Sequence, residues 1–279
     1  MLFRSPYYSV NFAKEYWDNV FTLFLNEYRA GRTPNPDVLC NREIKFKAFL
    51  DYARSLMAVK MATGHFVRTN EQGDLLKGVD PNKEQSYFLY MLKAEQLRQS
   101  IFPVGGMTKA EVREKARQAG IPVSEKKDST GVCFIGERRF KQFLSQYLPA
   151  QPGDIVMPDG TVVGRHDGLM YYTLGQRRGL GIPAAHRLYV TQIDPGSNTV
   201  TLGSNDDLMK RTLFARRINL ITADRIGSPL RCSAKIRYRH RSSPAPSHSQ
   251  GTTSSGSNLT SRSAPSRRDS PSFSTTVTL

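Results

Sequence analysis

Two cysteines set in unlike loops are the residues best placed by type and spacing to do chemistry. Cys40 lies in Thr33-Pro-Asn-Pro-Asp-Val-Leu-Cys40-Asn41, and Cys133 in Asp128-Ser-Thr-Gly-Val-Cys133-Phe-Ile-Gly136. Each follows an acidic residue in a turn-rich segment, where a thiol is expected to be exposed and open to sulfur chemistry. A cysteine kept for packing instead behaves as a small hydrophobe inside an apolar helix or strand. A reactive thiolate also needs positive surroundings. Arg42 and Lys45 follow Cys40, Lys126 and Lys127 precede Cys133, and Arg138 and Arg139 follow it. The competing reading is two ordinary buried thiols. Cys232, beside an alternating strand, reads as packing, and the three cysteines lack the short ligand pairs of structural zinc sites, so no metal site is expected.

Asp37 stands three residues before Cys40, directly after Asn35-Pro36, a dipeptide that favours a rigid turn. It reads equally well as the cap of the following helix or as a polar group aimed at a heterocycle's edge or at proton transfer. Arginine and tyrosine are interleaved in Met170-Tyr-Tyr-Thr-Leu-Gly-Gln-Arg177-Arg178-Gly-Leu-Gly181 and in Lys235-Ile-Arg237-Tyr238-Arg239-His240-Arg241, which suits phosphate contact and base stacking on RNA. His166 and His186 lack the partners of a catalytic triad and read as surface or structural residues.

The net charge of +16 and pI near 9.9 call for a polyanionic partner, nucleic acid ahead of an acidic membrane surface. An odd cysteine count without a Cys-x-x-Cys pair argues against a disulfide-stapled secreted fold and for a reducing compartment. No stretch approaches the length of a membrane span, so no membrane partner is expected. The opening Met1-Leu-Phe-Arg-Ser-Pro6 reads neither as a signal peptide nor as a mitochondrial presequence, since Glu15 and Asp18 arrive early.

The elements that must position these residues follow from periodicity. Trp17, Val20, Phe21, Phe24, Leu25 and Tyr28 recur at helical spacing before Gly31 and Pro34. A second helix is expected from Glu43 to Met57, feeding a buried strand over 58–63 that ends at Gly64-His65. Helix, strand and then glycine is the rhythm of an open α/β sheet, whose ligands collect at the carboxyl ends of strands. A hairpin is expected around Asn70-Glu-Gln-Gly-Asp74, and Thr108-Lys-Ala-Glu111 is a capping box for a helix ending at Gly120. Helical spacing returns at Phe140, Phe143, Leu144 and Tyr147, and beyond Pro149 short strands and tight turns mark a β-rich second domain. Residues 233–240 alternate like a strand whose pairing partners are missing, and 242–279, rich in Ser, Thr, Pro, Arg and Gly, are expected to be disordered.

The chain resembles the tRNA-specific 2-thiouridylases, the bacterial wobble-uridine thiolases and their mitochondrial counterparts, from about Tyr8 to Arg241. The resemblance rests on Thr33-Pro-Asn-Pro-Asp-Val-Leu-Cys-Asn-Arg42, Ala62-Thr-Gly-His65, Lys83-Glu-Gln-Ser-Tyr-Phe-Leu89, the Cys133 segment, Tyr172-Thr-Leu-Gly-Gln-Arg-Arg-Gly-Leu-Gly181 and Ile236-Arg-Tyr-Arg239. It implies ATP-dependent 2-thiolation of the wobble uridine of tRNA. ATP adenylates the C2 oxygen, Cys133 carries the sulfur as a persulfide, and Cys40 acts as nucleophile, the two closing a disulfide as sulfur is released. Asn35, Pro36 and Asp37 are implied to contact the target base, His65, Lys83, Glu84, Gln85, Arg237 and Tyr238 the tRNA, and Gly64 the ATP. The implied partners are tRNA and a persulfide sulfur-donor protein, with no metal beyond Mg accompanying ATP.

The implied fold is α/β: a partial Rossmann-like ATP-pyrophosphatase domain over 1–148, a β-rich central tRNA-binding domain over 149–212, a truncated β-barrel over 213–241 and the tail over 242–279. No segment matches the family's Ser-Gly-Gly-x-Asp-Ser loop, which holds the ATP pyrophosphate on backbone N–H groups. The expectation is therefore a truncated, mitochondrial-type variant, cytoplasmic if an upstream targeting segment is lacking, with impaired ATP turnover. The alternative is a non-catalytic tRNA-binding fragment that competes with the full-length enzyme.

Overall fold

A computed structural model describes residues 7–126, 140–209, 212–215, 218–223, 230–238, 243–250 and 258–262. The backbone forms two compact units: residues 1–21, 36–136 and 219–224 make the first, and 22–35, 137–218 and 225–279 the second. No helix among the described residues is long and apolar enough to cross a membrane.

In the first unit, Pro36–Cys40, Asn41–Ala48 and Phe49–Ser55 follow one another as a single helical run, its middle wound with π-helical hydrogen bonds. Pro36 suits the first helical position, where its missing N–H removes no bond and its fixed φ is already helical. The run thus starts seven residues earlier than the periodicity of Phe46, Phe49 and Leu50 announces. Strand β1 (Met61–Ala62) closes the α/β step. After the hairpin β2 (Val67–Thr69) and β3 (Leu75–Lys77), β1 pairs in parallel with β4 (Ser100–Ile101). Phe46, Leu50, Met61, Val67, Leu89, Leu92, Leu97 and Phe102 form the core beneath, each at most 9% exposed, with Ile221 packed against it. The capping box on Lys109–Gln118 forms as its sequence predicts, Thr108 N donating to Glu111 Oε2 at 2.6 Å.

The second unit opens with helix Thr22–Arg29, which buries Phe24, Leu25 and Tyr28, the last against Phe140 with ring centroids 6.1 Å apart. Its main sheet contains β5 (Gly153–Val156), β6 (Val162–His166), β7 (Tyr189–Asp194) and β8 (Thr199–Gly203) in the order β6-β5-β8-β7, with β5 and β8 parallel. Ile155, Leu180, Val190, Val200 and Leu202 fill its core. A second antiparallel sheet holds β9 (Thr212–Ala215), β10 (Leu230–Ala234), β11 (Ser243–Gln250) and β12 (Asn258–Arg262) in the order β10-β11-β12-β9.

One expectation changes here. The strand anticipated over 233–240 lies earlier, at β10, and residues 236–238 form a bend. Within it the Arg237 guanidinium donates to the Leu174 carbonyl. Within 242–279 the described residues are 243–250 and 258–262, as strands β11 and β12, and the rest of that stretch lies outside the described residues. Ladder bonds link backbone groups, so a sequence poor in apolar side chains can still pair with strand edges offered by β9 and β10.

Candidate functional site

The site in the first unit is built on the helical run. Pro36 is buried, and Asp37 beside it is half-buried in the first turn, where a carboxylate faces the positive end of the helix. Cys40 is not on an exposed loop. It is 8% exposed at the end of the first helical segment, packed with Val20 and Ile44 and flanked by Phe12, Tyr16 and Leu39. Because helix formation begins at Pro36, the turn-rich composition around Cys40 caps a helix instead of exposing a thiol.

Of the basic residues that follow Cys40, Arg42 and the later Lys47 pair with Glu43. Arg42 Nε donates to Glu43 Oε1 at 2.6 Å and its Nη1 lies 3.6 Å from Met91 Sδ, while Lys47 donates to Glu43 Oε2 at 2.9 Å. Burial alone would push the Glu43 carboxyl up, but Lys47 and Arg42 together hold it below the usual carboxylate range.

The run makes two further links. Asn41 Nδ2 donates to the Phe88 carbonyl at 3.0 Å, tying the Cys40 turn to the segment that begins at Lys83. Asn41 is 3% exposed, and its Oδ1 has no hydrogen-bond partner among the described residues, so a buried acceptor sits beside Cys40. One and a half turns later the Phe46 ring meets the His65 ring, centroids 5.6 Å apart.

His65 lies just past β1. Its Nδ1 is 3.0 Å from Thr63 Oγ1, and its ring stands edge-on to Phe102 at 6.4 Å. Burial between these rings, reinforced by the charge of Lys45, pushes its pKa down to about 4, so it is neutral at neutral pH. Gly64 is exposed, and nothing lies within 4 Å of where a Cβ would stand. The carboxyl end of β1 is thus uncrowded at Gly64.

Of the three residues Lys83, Glu84 and Gln85, two are turned inward. Glu84 is 9% exposed and accepts from Ser86 N at 2.6 Å. Gln85 clamps Phe66: its Oε1 accepts from Phe66 N at 2.9 Å and its own N donates to Phe66 O at 3.1 Å. Asp80, absent from the sequence reading, supports the same turn by accepting from Asn82 N and Lys109 N, both at 2.8 Å. Those backbone bonds, led by Lys109, hold its carboxyl below its ordinary range. The Asp-Pro-Asn spelling of 80–82 is the signal that could have found it.

In the second unit, Asn35 is half-buried in the segment following Thr33. Arg237 and Tyr238 are half-buried in the bend after β10, with Lys235 Nζ 5.4 Å from the centre of the Tyr238 ring. Cys133 and its segment lie outside the described residues, as do Arg239 and His240. No cluster of three or more metal-ligating side chains occurs among the described residues.

Comparison with known proteins places this geometry. Residues 3–137 match the model of the tRNA methyl transferase HUP domain, and 141–204 that of the tRNA methyl transferase PRC-barrel domain. The chain is 53% identical over 247 residues to the tRNA-specific 2-thiouridylase MnmA of Lysinibacillus sphaericus, covering 86% of this chain and 66% of that protein. It is 55% identical over 241 residues to the protein of that name from Listeria innocua, covering 84% and 65%. For the one from Methylococcus capsulatus it is 55% over 245 residues, covering 83% and 66%. The chain therefore spans just under two thirds of the length of these relatives.

Proposed function

Since the chain belongs to the tRNA-specific 2-thiouridylase family, we propose that it takes part in 2-thiolation of the wobble uridine of tRNA, with Cys40 and Cys133 handling the sulfur. The observation that supports this most directly is the helical run 36–48. It carries Asp37 and Cys40, holds the 83–89 segment through Asn41 and packs on His65 through Phe46.

ATP, for which Gly64 leaves room at the end of β1, supplies the activation that turns the C2 oxygen of uridine into a leaving group. The residues of this chain do the rest. Asn35, Pro36 and Asp37 hold the base, and a persulfide on Cys133, loaded by a donor protein, presents its outer sulfur to C2. A C2–S bond forms and the C2–O bond breaks, while the Cys40 thiolate attacks the inner sulfur and cleaves the S–S bond of the persulfide. The sulfane sulfur gains two electrons, the two thiols lose them as a Cys40–Cys133 disulfide, and an external dithiol restores both. Cys40 is buried, so its cover must open for this step. Neutral His65 can exchange a hydrogen bond with RNA without adding charge.

In this proposal the 279 residues handle the sulfur and bind tRNA. The test loads the purified protein with persulfide and adds activated, unthiolated tRNA, following 2-thiouridine by retardation in mercury-containing gels. Thiolated tRNA is expected from the native chain and none from Cys40→Ser or Cys133→Ser. Full tRNA binding with no sulfur transfer in any variant would instead support a tRNA-binding fragment.

A further inference from the structure

Loop 172–181 is held more firmly than an exposed basic turn requires. Gln176 closes it on itself: Oε1 accepts from Thr173 N at 3.0 Å, the backbone N donates to Thr173 O at 2.9 Å, and Nε2 donates to Arg178 O at 3.1 Å. The loop is then stitched to β7, Gly175 N donating to Val190 O at 2.7 Å and Val190 N to Gln176 O at 3.0 Å. Thr33 Oγ1 donates to Thr173 Oγ1 at 3.1 Å, tying the loop to the segment after helix Thr22–Arg29 in the same unit. From the other side Arg237 donates to the Leu174 carbonyl.

Arg177 and Arg178 project from this braced backbone. Both are exposed, and neither guanidinium has a hydrogen bond or ion pair among the described residues. Arg32, Arg42 and Arg117, by contrast, are engaged by Glu27, Glu43 and Glu114. Gly175 and Gly179, at φ +76° and +73°, let the chain turn sharply on either side of the pair. Two uncommitted guanidinium groups on an immobilised backbone suit bidentate phosphate contact, because the fork geometry is preset and little backbone freedom is lost on binding.

We propose that Arg177 and Arg178 are a phosphate-binding pair for the RNA backbone, and that Arg237 and Gln176 are positioning residues that brace the loop presenting them. The ligand rests on the tRNA reading above; the brace does not. The resemblance implies that Arg237 meets the tRNA itself, whereas the geometry aims its guanidinium at a protein carbonyl.

Limited trypsin digestion of the whole protein without RNA, read at the Arg177 and Arg178 bonds, tests the brace. Arg237→Ala is expected to speed cleavage there about tenfold, as loss of one charge-assisted hydrogen bond raises the open population by that order. Gln176→Ala, which leaves β10 untouched, is expected to do the same, and unchanged cleavage in both overturns the brace. For the ligand, Arg177→Ala/Arg178→Ala should lower the slope of log Kd against log salt for unmodified tRNA by about 1 to 2. An unchanged slope overturns the phosphate pair. If the native chain binds no tRNA, the RNA ligand and the functional reading fail together, while the digestion still decides the brace.

Discussion

At the scale of single residues, His65 joins chemistry to stability. Its folded pKa near 4 lies below the roughly 6.5 of an unfolded histidine, so between those values the unfolded chain binds the extra proton. Stability linked to His65 is therefore complete above about pH 6.5 and is lost as pH falls toward 4. The loss should be on the order of 2 kcal/mol, less than the full linkage value because the ring is only half-buried. Urea unfolding of the native chain and of His65→Gln between pH 7 and 4.5 checks this, the variant being expected to lose less stability over that range. An imidazole proton resonance titrating near 6.5 would contradict it. Cys40 teaches a related lesson: it is buried on a helix, so its reactivity depends on what uncovers it.

Among elements, the turn after β1 is fixed by backbone approaching backbone. A Cβ on Gly105 would stand 1.6 Å from the Val67 carbonyl oxygen, and one on Gly78 2.3 Å from that of Phe66. Neither neighbour is a side chain that can swing aside. Gly105→Ala should therefore destabilise the protein by about 1–3 kcal/mol or more through overpacking, a lower Tm being the readout. A variant as stable as the native chain would mean that the β2 corner yields more easily than its hydrogen bonds to Gln85 suggest. The helical run 36–55 has the complementary role of a strut. Phe46, fully buried, grips the core while also meeting His65, so packing and placement of the histidine depend on one side chain.

For the whole molecule, charge is the governing quantity. With a net +16, tRNA binding should weaken about tenfold or more between 50 and 200 mM salt as condensed counterions are released, measured by filter binding or anisotropy. Salt-independent binding would remove the phosphate-contact reading. Composition, charge and motif spacing were enough to determine the α/β plan followed by β-structure, the capping box at Thr108, the hairpin around Gly73 and the choice of Cys40 and Asp37 as residues of interest, because these signals are local, while His65 entered only through the family resemblance. Only the tertiary structure decided that Cys40 is buried on a helix, that Glu84 and Gln85 face inward, that Arg42 serves Glu43 and that Arg237 reaches Leu174. Each of those outcomes turns on which group a side chain meets in space, and a run of residues along a chain holds no information about that until the backbone has folded around it.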